Sequence, residues 1–293
     1  MRSPFWFNTN NPNSNCFNTK LTYNNVITIF IGLESMLCKI KDNILKISGR
    51  KEGSSTNNND ENAAALRKIP SKEPEIIVPV HKRLGAELIG TFALVFTAVG
   101  SDVSDALNGH TLGKFAVAVA PGLVIMAMIY GLDRISGAYF NPAISIGFAI
   151  TRHLKPKDLP FYIVVQIIGS ILASFFVFTI IGQSGHSGLT LPLGRGGWFQ
   201  SFVLEIVLTF LLMIVSISMK EEVGYKTFGG VAIGGIIALA GIVGIQISGA
   251  SMNPARSFGP ALITGNLSFN WIYWIAPIIG SLIAVFAFRV IKK

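Results

Sequence analysis

Charged side chains are scarce in this chain of 293 residues: only 13% are Asp, Glu, Lys or Arg, against 51% hydrophobic, where a soluble domain holds about 25% charged residues. With a mean hydropathy of +0.55, the shortage points to lipid as the solvent. Cysteine is nearly absent as well. The two present, Cys16 and Cys38, fall in the N-terminal stretch, so no disulfide braces the apolar part and no redox role follows. The four histidines include no metal-spaced pair, and phosphate-loop and nucleophile motifs are missing. No metal site, cofactor or enzyme activity is therefore expected.

Acidic residues are outnumbered, giving a net charge of +9. That balance would suit nucleic acid only if it were clustered on a soluble module, and here the basic residues sit at the ends of apolar runs. With six spans threaded and the N-terminus inside, Lys82, Arg83, Arg152, Lys155, Lys157, Lys220, Lys226, Arg289, Lys292 and Lys293 share one side. The opposite loops hold Lys114, Arg195, Asp102 and Asp105. The positive-inside rule then places both termini in the cytoplasm of a multi-pass protein, expected in the plasma membrane. Membrane lipid is a partner and nucleic acid is not.

Residues 1–80 are rich in Asn, Ser, Lys and Asp and contain the run Ser54-Ser-Thr-Asn-Asn-Asn-Asp60, a composition that buries too little apolar surface to fold alone. The stretch reads as a disordered cytoplasmic tail or as the product of a misassigned start; it lacks the features of a signal peptide. Residues 81–293 form the apolar, membrane-spanning part. A membrane helix needs roughly 20 apolar residues, and such windows fall at 84–103, 114–131, 160–182, 198–218, 227–247 and 270–290. Two shorter apolar pieces, 141–150 and 254–263, cover about half the hydrocarbon core each. Broken helices at that depth are tolerated where they line a cavity or are buried in protein.

An internal repeat pairs these pieces. Glu87-Leu-Ile-Gly-Thr91-Phe92 matches Glu205-Ile-Val-Leu-Thr209-Phe210, Ser136-Gly-Ala-Tyr-Phe-Asn141-Pro-Ala143 matches Ser248-Gly-Ala-Ser-Met-Asn253-Pro-Ala255, and Ile167-Ile-Gly-Ser170 matches Ile278-Ile-Gly-Ser281. The order is the same and the offset nearly constant, giving repeats at about 82–183 and 196–290. Three spans plus one half-span per unit is an odd number of crossings, so the second unit is inserted upside down relative to the first.

One Asn-Pro-Ala is merely a good helix start, Asn as N-cap and Pro in the first turn. Two copies, each opening a half-span and inserted from opposite faces, bring Asn141-Pro142-Ala143 and Asn253-Pro254-Ala255 together near the midplane. Each helix N-terminus carries roughly +0.5 of a charge. Two such ends facing one point repel cations, and two carboxamides donating to a passing oxygen hold a water against the reorientation that proton hopping needs.

These motifs closely resemble the aquaporin (major intrinsic protein) family, nearer its water-channel branch than its glycerol facilitators. The resemblance covers about 82–290, and the second loop, Ser248 to Pro260, follows the family pattern almost residue for residue. It implies an all-α membrane fold, a right-handed bundle of six transmembrane helices with two re-entrant half-helices in an inverted repeat. It further implies a homotetramer with one pore per subunit, passing water and small neutral solutes and excluding protons and ions. By the same likeness Arg256 belongs to the extracellular selectivity filter, with Pro121, Gly241 and Ala250 as the other filter positions. All three are small where a strict water filter has an aromatic and a histidine, which points to passage of glycerol or urea. Ser257, Ala261, Tyr273 and Trp274 instead look like the water-channel branch, so water ranks first. Glu87 and Glu205 read as a proton relay or as acceptors for the half-helix loops, the second being favoured. Tyr139 is placed in the inner vestibule. Asp133-Arg134 replaces the more usual Gly-His, so no pH response attributed to that histidine carries over. The remaining fifth-span glycines are read as packing positions, Gly241 excepted. The rival from another class is a secondary transporter, which also uses inverted repeats and broken helices.

Overall fold

The computed structural model describes residues 78–184, 186, 188–221 and 228–292. The expected tail, with Cys16 and Cys38 in it, lies outside the described residues apart from its last three positions. Eight α-helices make up the described part, and no strand is present among the described residues: α1 Val80–Leu107, α2 Gly113–Ser136, α3 Pro142–Ile150, α4 Leu159–Ile180, α5 Gly197–Glu221, α6 Gly229–Gly244, α7 Pro254–Thr264 and α8 Ile272–Ile291. The two half-spans are α3, of nine residues, and α7, of eleven.

Among the described residues five of the six helices expected to span are long and apolar enough to cross a membrane, and α6 falls short at 16 residues. The apolar window carries that span to residue 247, but the helix stops at Gly244. There the Ile247 and Ser248 amides both turn back onto the Gly244 carbonyl, redirecting the chain into the loop that delivers Asn253. Where the preceding loop meets α6, residues 222–227 lie outside the described set.

The surface is rich in large apolar side chains, and the interior holds polar side chains beside its apolar core. Phe115, Leu123, Phe161, Phe175, Leu239, Val243 and Phe286 are all exposed, whereas Glu87, Gln166, Ser170, Ser174, Ser201, Glu205, Thr209 and Ser281 are fully buried. With lipid outside, helix association gains nothing from hiding leucine and depends on close approach and interior hydrogen bonds. The packing follows the repeat: α1 against α4 and α5 against α8, α4 against α7 and α8 against α3, with α2 against α6 joining the halves. At this last crossing the backbones nearly touch. A Cβ at Gly122 would lie 2.4 Å from the Gly234 carbonyl oxygen, and one at Gly234 would lie 2.5 Å from that of Gly122. Glycine is required at both positions by contact rather than by conformation.

Candidate functional site

Each half-helix starts as its dipeptide dictates. Asn141 is extended and its Oδ1 accepts the Ala143 amide at 2.9 Å. Asn253 does the same for Ala255 and Arg256 at 3.0 and 3.2 Å. Proline at the first helical position costs no hydrogen bond, because that N–H would lack a helical partner anyway. The two loops then brace each other reciprocally. Asn141 Nδ2 donates to the Met252 carbonyl at 2.7 Å, and Asn253 Nδ2 donates to the Phe140 carbonyl at 2.9 Å. A carboxamide nitrogen has two hydrogens, so each asparagine keeps one for a solute.

The loops are held in a conformation that ordinary residues resist. Ala138 and Phe140 have φ near +51°, and their repeat mates Ala250 and Met252 have +45° and +53°. Non-glycine residues in this region cost of order 1–3 kcal/mol each and persist where the surroundings over-determine them. The glutamates supply that constraint. Glu87 accepts from Ser136 Oγ at 2.7 Å and from the Tyr139 and Phe140 amides at 3.0 and 2.7 Å. Glu205 accepts from Ser248 Oγ at 2.7 Å and from the Ser251 and Met252 amides at 2.8 and 2.7 Å. The geometry is that of a loop-supporting acceptor in both halves. Gln166, on α4, bonds Glu87 Oε2 and Ser145 Oγ, both at 2.9 Å, so its amide anchors the first loop and its half-helix.

The bracing role of four further residues went unread in the sequence. Tyr162 and Tyr273 donate to the carbonyls of Ser136 and Ser248 at 3.0 and 2.8 Å. Ser170 donates to the Ala255 carbonyl at 2.5 Å and Ser281 to the Ala143 carbonyl at 2.8 Å, so each half grips the other half's half-helix. The offset that pairs Ser170 with Ser281 also pairs the tyrosines, and applying it to every polar residue of the spans finds all four.

Two cavities meet at the asparagine pair, since both Asn141 and Asn253 line each of them. The one on the Arg256 side, about 270 Å³ and called outer after the expectation that this face is extracellular, also brings together Pro121, Gly241, Ala250 and Arg256. Arg256 is buried, and its Nη1 donates to the Gly188 carbonyl at 2.9 Å. The loop carrying Gly188 is tied down by Thr190, whose hydroxyl donates to Ser257 at 2.8 Å. Pro121 sits inside α2, where its lack of an N–H leaves the Val117 carbonyl without its helical donor. Gly241 differs from the sequence reading, which set it apart from the packing glycines. A Cβ there would lie 2.4 Å from the Ala118 carbonyl oxygen, so it lines the cavity and is also a packing glycine of the α2–α6 crossing.

The inner cavity is about 50 Å³ and is lined by Tyr139, Asp133 and Lys220 among others. Tyr139 is buried, stacks on Phe148 with ring centroids 4.8 Å apart, and places its hydroxyl 3.4 Å from the His153 carbonyl. Among the described residues no cluster of three or more His, Cys, Asp or Glu is placed to hold a metal ion.

Comparison with known proteins places this geometry. The family model for the major intrinsic protein matches residues 77–288. Nodulin-26 of Glycine max is 36% identical over 225 residues, covering 76% of this chain and 83% of that protein. A probable NIP-type aquaporin of Nicotiana alata is 36% identical over 254 residues, covering 85% of this chain and 90% of that protein. Among solved structures, the aquaglyceroporin from Plasmodium falciparum superposes with a TM-score of 0.64 at 21% identity, over 72% of this chain and 96% of that one. At that identity the likeness bears on the fold.

Proposed function

The chain belongs to the major intrinsic protein family of membrane channels, and from that premise we propose that it is a passive pore for water that also takes small uncharged solutes such as glycerol and urea. It excludes protons and ions and catalyses no reaction. The observation that carries this reading is the pair of opposed half-helix N-termini. Asn141 and Asn253 each keep one free amide hydrogen at the junction of the outer and inner cavities. A solute there meets donors from two sides and two positive helix ends. Arg256 adds a fixed cation in the outer cavity; among the described residues its guanidinium donates to the Gly188 carbonyl through Nη1, leaving other donors for the solute.

In this reading Pro121, Gly241, Ala250 and Arg256 form the filter, Tyr139 lines the inner vestibule, both termini are cytoplasmic, and the protein assembles as a homotetramer in the plasma membrane without a cofactor. The names of the relatives, an aquaporin among them, support water as the first solute. Purified protein in liposomes is expected to raise osmotic shrinkage in sucrose well above that of empty vesicles, without saturation and without ionic current. Water permeability equal to that of empty liposomes would refute the reading. A saturable flux coupled to an ion gradient would favour the secondary transporter instead.

A further inference from the structure

The outer cavity, about 270 Å³, reaches from the asparagine pair past the filter positions to Asp102, Lys114 and His186, and a smaller cavity of about 50 Å³ lies on the other side of the pair. What stands there is an ion pair that joins the two repeats. Asp133, in the last turn of α2, accepts from Lys220 Nζ, in the last turn of α5. Both residues line the inner cavity. The same ammonium lies 5.8 Å from the centre of the Tyr139 ring, within cation–π range, and Tyr139 is fixed in place by Phe148 and the His153 carbonyl. One side chain of each repeat and the ring of the first pore loop thus close on one point beneath Asn141 and Asn253.

We propose that Asp133, Lys220 and Tyr139 form the second, size-selecting constriction of this pore, limiting the passage of solutes larger than water. The proposal rests on the channel reading above. Lys220 spends one of its three donors on Asp133, and the rest are available to a solute oxygen. The carboxylate of Asp133 offsets its charge, so the pair narrows the path without adding a net positive charge to it. The pair is reached by water, with Lys220 and Asp133 side chains 22% and 42% exposed, so it opens and re-forms rather than sealing the mouth. Water slips past the closed pair; a three-carbon polyol waits for it to part.

The test is stopped-flow flux of glycerol and of water through proteoliposomes carrying wild type, Lys220→Ala, Asp133→Ala, and the charge exchange Asp133→Lys with Lys220→Asp. Either alanine variant is expected to raise glycerol flux about fivefold, the population change set by an exposed pair worth about 1 kcal/mol, while water flux rises less than about twofold. The exchange is expected to return glycerol flux toward wild type, because it restores the pair with its ends reversed. Having one variant on each helix guards against one of them failing to fold. Unchanged glycerol flux in both alanine variants, with water flux intact, overturns the inner constriction and leaves the channel reading standing. Absence of water flux in every protein, wild type included, overturns the channel reading and this inference with it.

Discussion

Glu205→Ala is expected to give little folded protein and no measurable water flux, and Glu87→Ala the same. The carboxylate of Glu205 is fully buried and accepts two loop amides, of Ser251 and Met252, besides the Ser248 hydroxyl. Truncation leaves two buried N–H groups without acceptors, at roughly 1–3 kcal/mol each, in a loop where Ala250 and Met252 already occupy the left-handed region. The loss takes away much of the 5–15 kcal/mol that holds a typical domain. Glu205→Gln should fall between, because one carboxamide oxygen can still accept while the NH2 group meets amide donors. Detergent extraction, thermal midpoint and proteoliposome water flux measure these effects. If instead Glu205→Ala extracts and melts like wild type but conducts protons differently, the glutamate is a relay group and not a support.

The contacts of these acids with the loops were legible because the repeat displays them twice. Glu87 and Glu205 begin matching hexapeptides, and the loops they hold begin with matching Ser-Gly-Ala. The half-helix starts at Pro142 and Pro254 were equally legible, since the Asn-Pro pair encodes both a cap and a first turn. Contacts that break the repeat were not. Lys220 and Asp133 are 87 residues apart, and hydropathy shows each only as a polar residue ending an apolar run. Their meeting depends on where the ends of α2 and α5 come to lie, which no spacing within one helix encodes. The Gly188 carbonyl that holds Arg256 comes from a loop of no recognisable pattern. Gly241 shows a further limit: family spacing identifies it as pore-lining, but only the crossing with α2 reveals that its missing side chain is what lets Ala118 approach.

That crossing decides how the filter can be tested, and the largest change in selectivity is expected from Pro121→Phe alone. Adding Gly241→His would restore both the aromatic and the histidine of a strict water filter. A Cβ at position 241 would stand 2.4 Å from a backbone oxygen of α2, and overpacking of that kind costs typically 1–3 kcal/mol, so Gly241→His should prise α6 from α2 before it narrows anything. Pro121 is different. It lines the outer cavity beside Ala250 and Arg256 and is partly exposed, and replacing a mid-helix proline restores an N–H to the helix and removes a ring clash. A phenyl ring there should therefore fill the cavity without straining the backbone. Glycerol and urea flux are expected to fall at least about tenfold, a barrier rise of only about 1.4 kcal/mol, while water falls less than about twofold. The inner constriction acts in series with the filter, so the fall should be steeper in a Lys220→Ala background, where the outer filter is left as the main barrier. Parallel stopped-flow traces with glycerol, urea and sucrose read all of this. If wild type already rejects glycerol and urea while Lys220→Ala rejects them too, the outer filter is narrow despite its small side chains, and the water-channel pattern of Ser257, Ala261, Tyr273 and Trp274 is the better guide to what this pore admits.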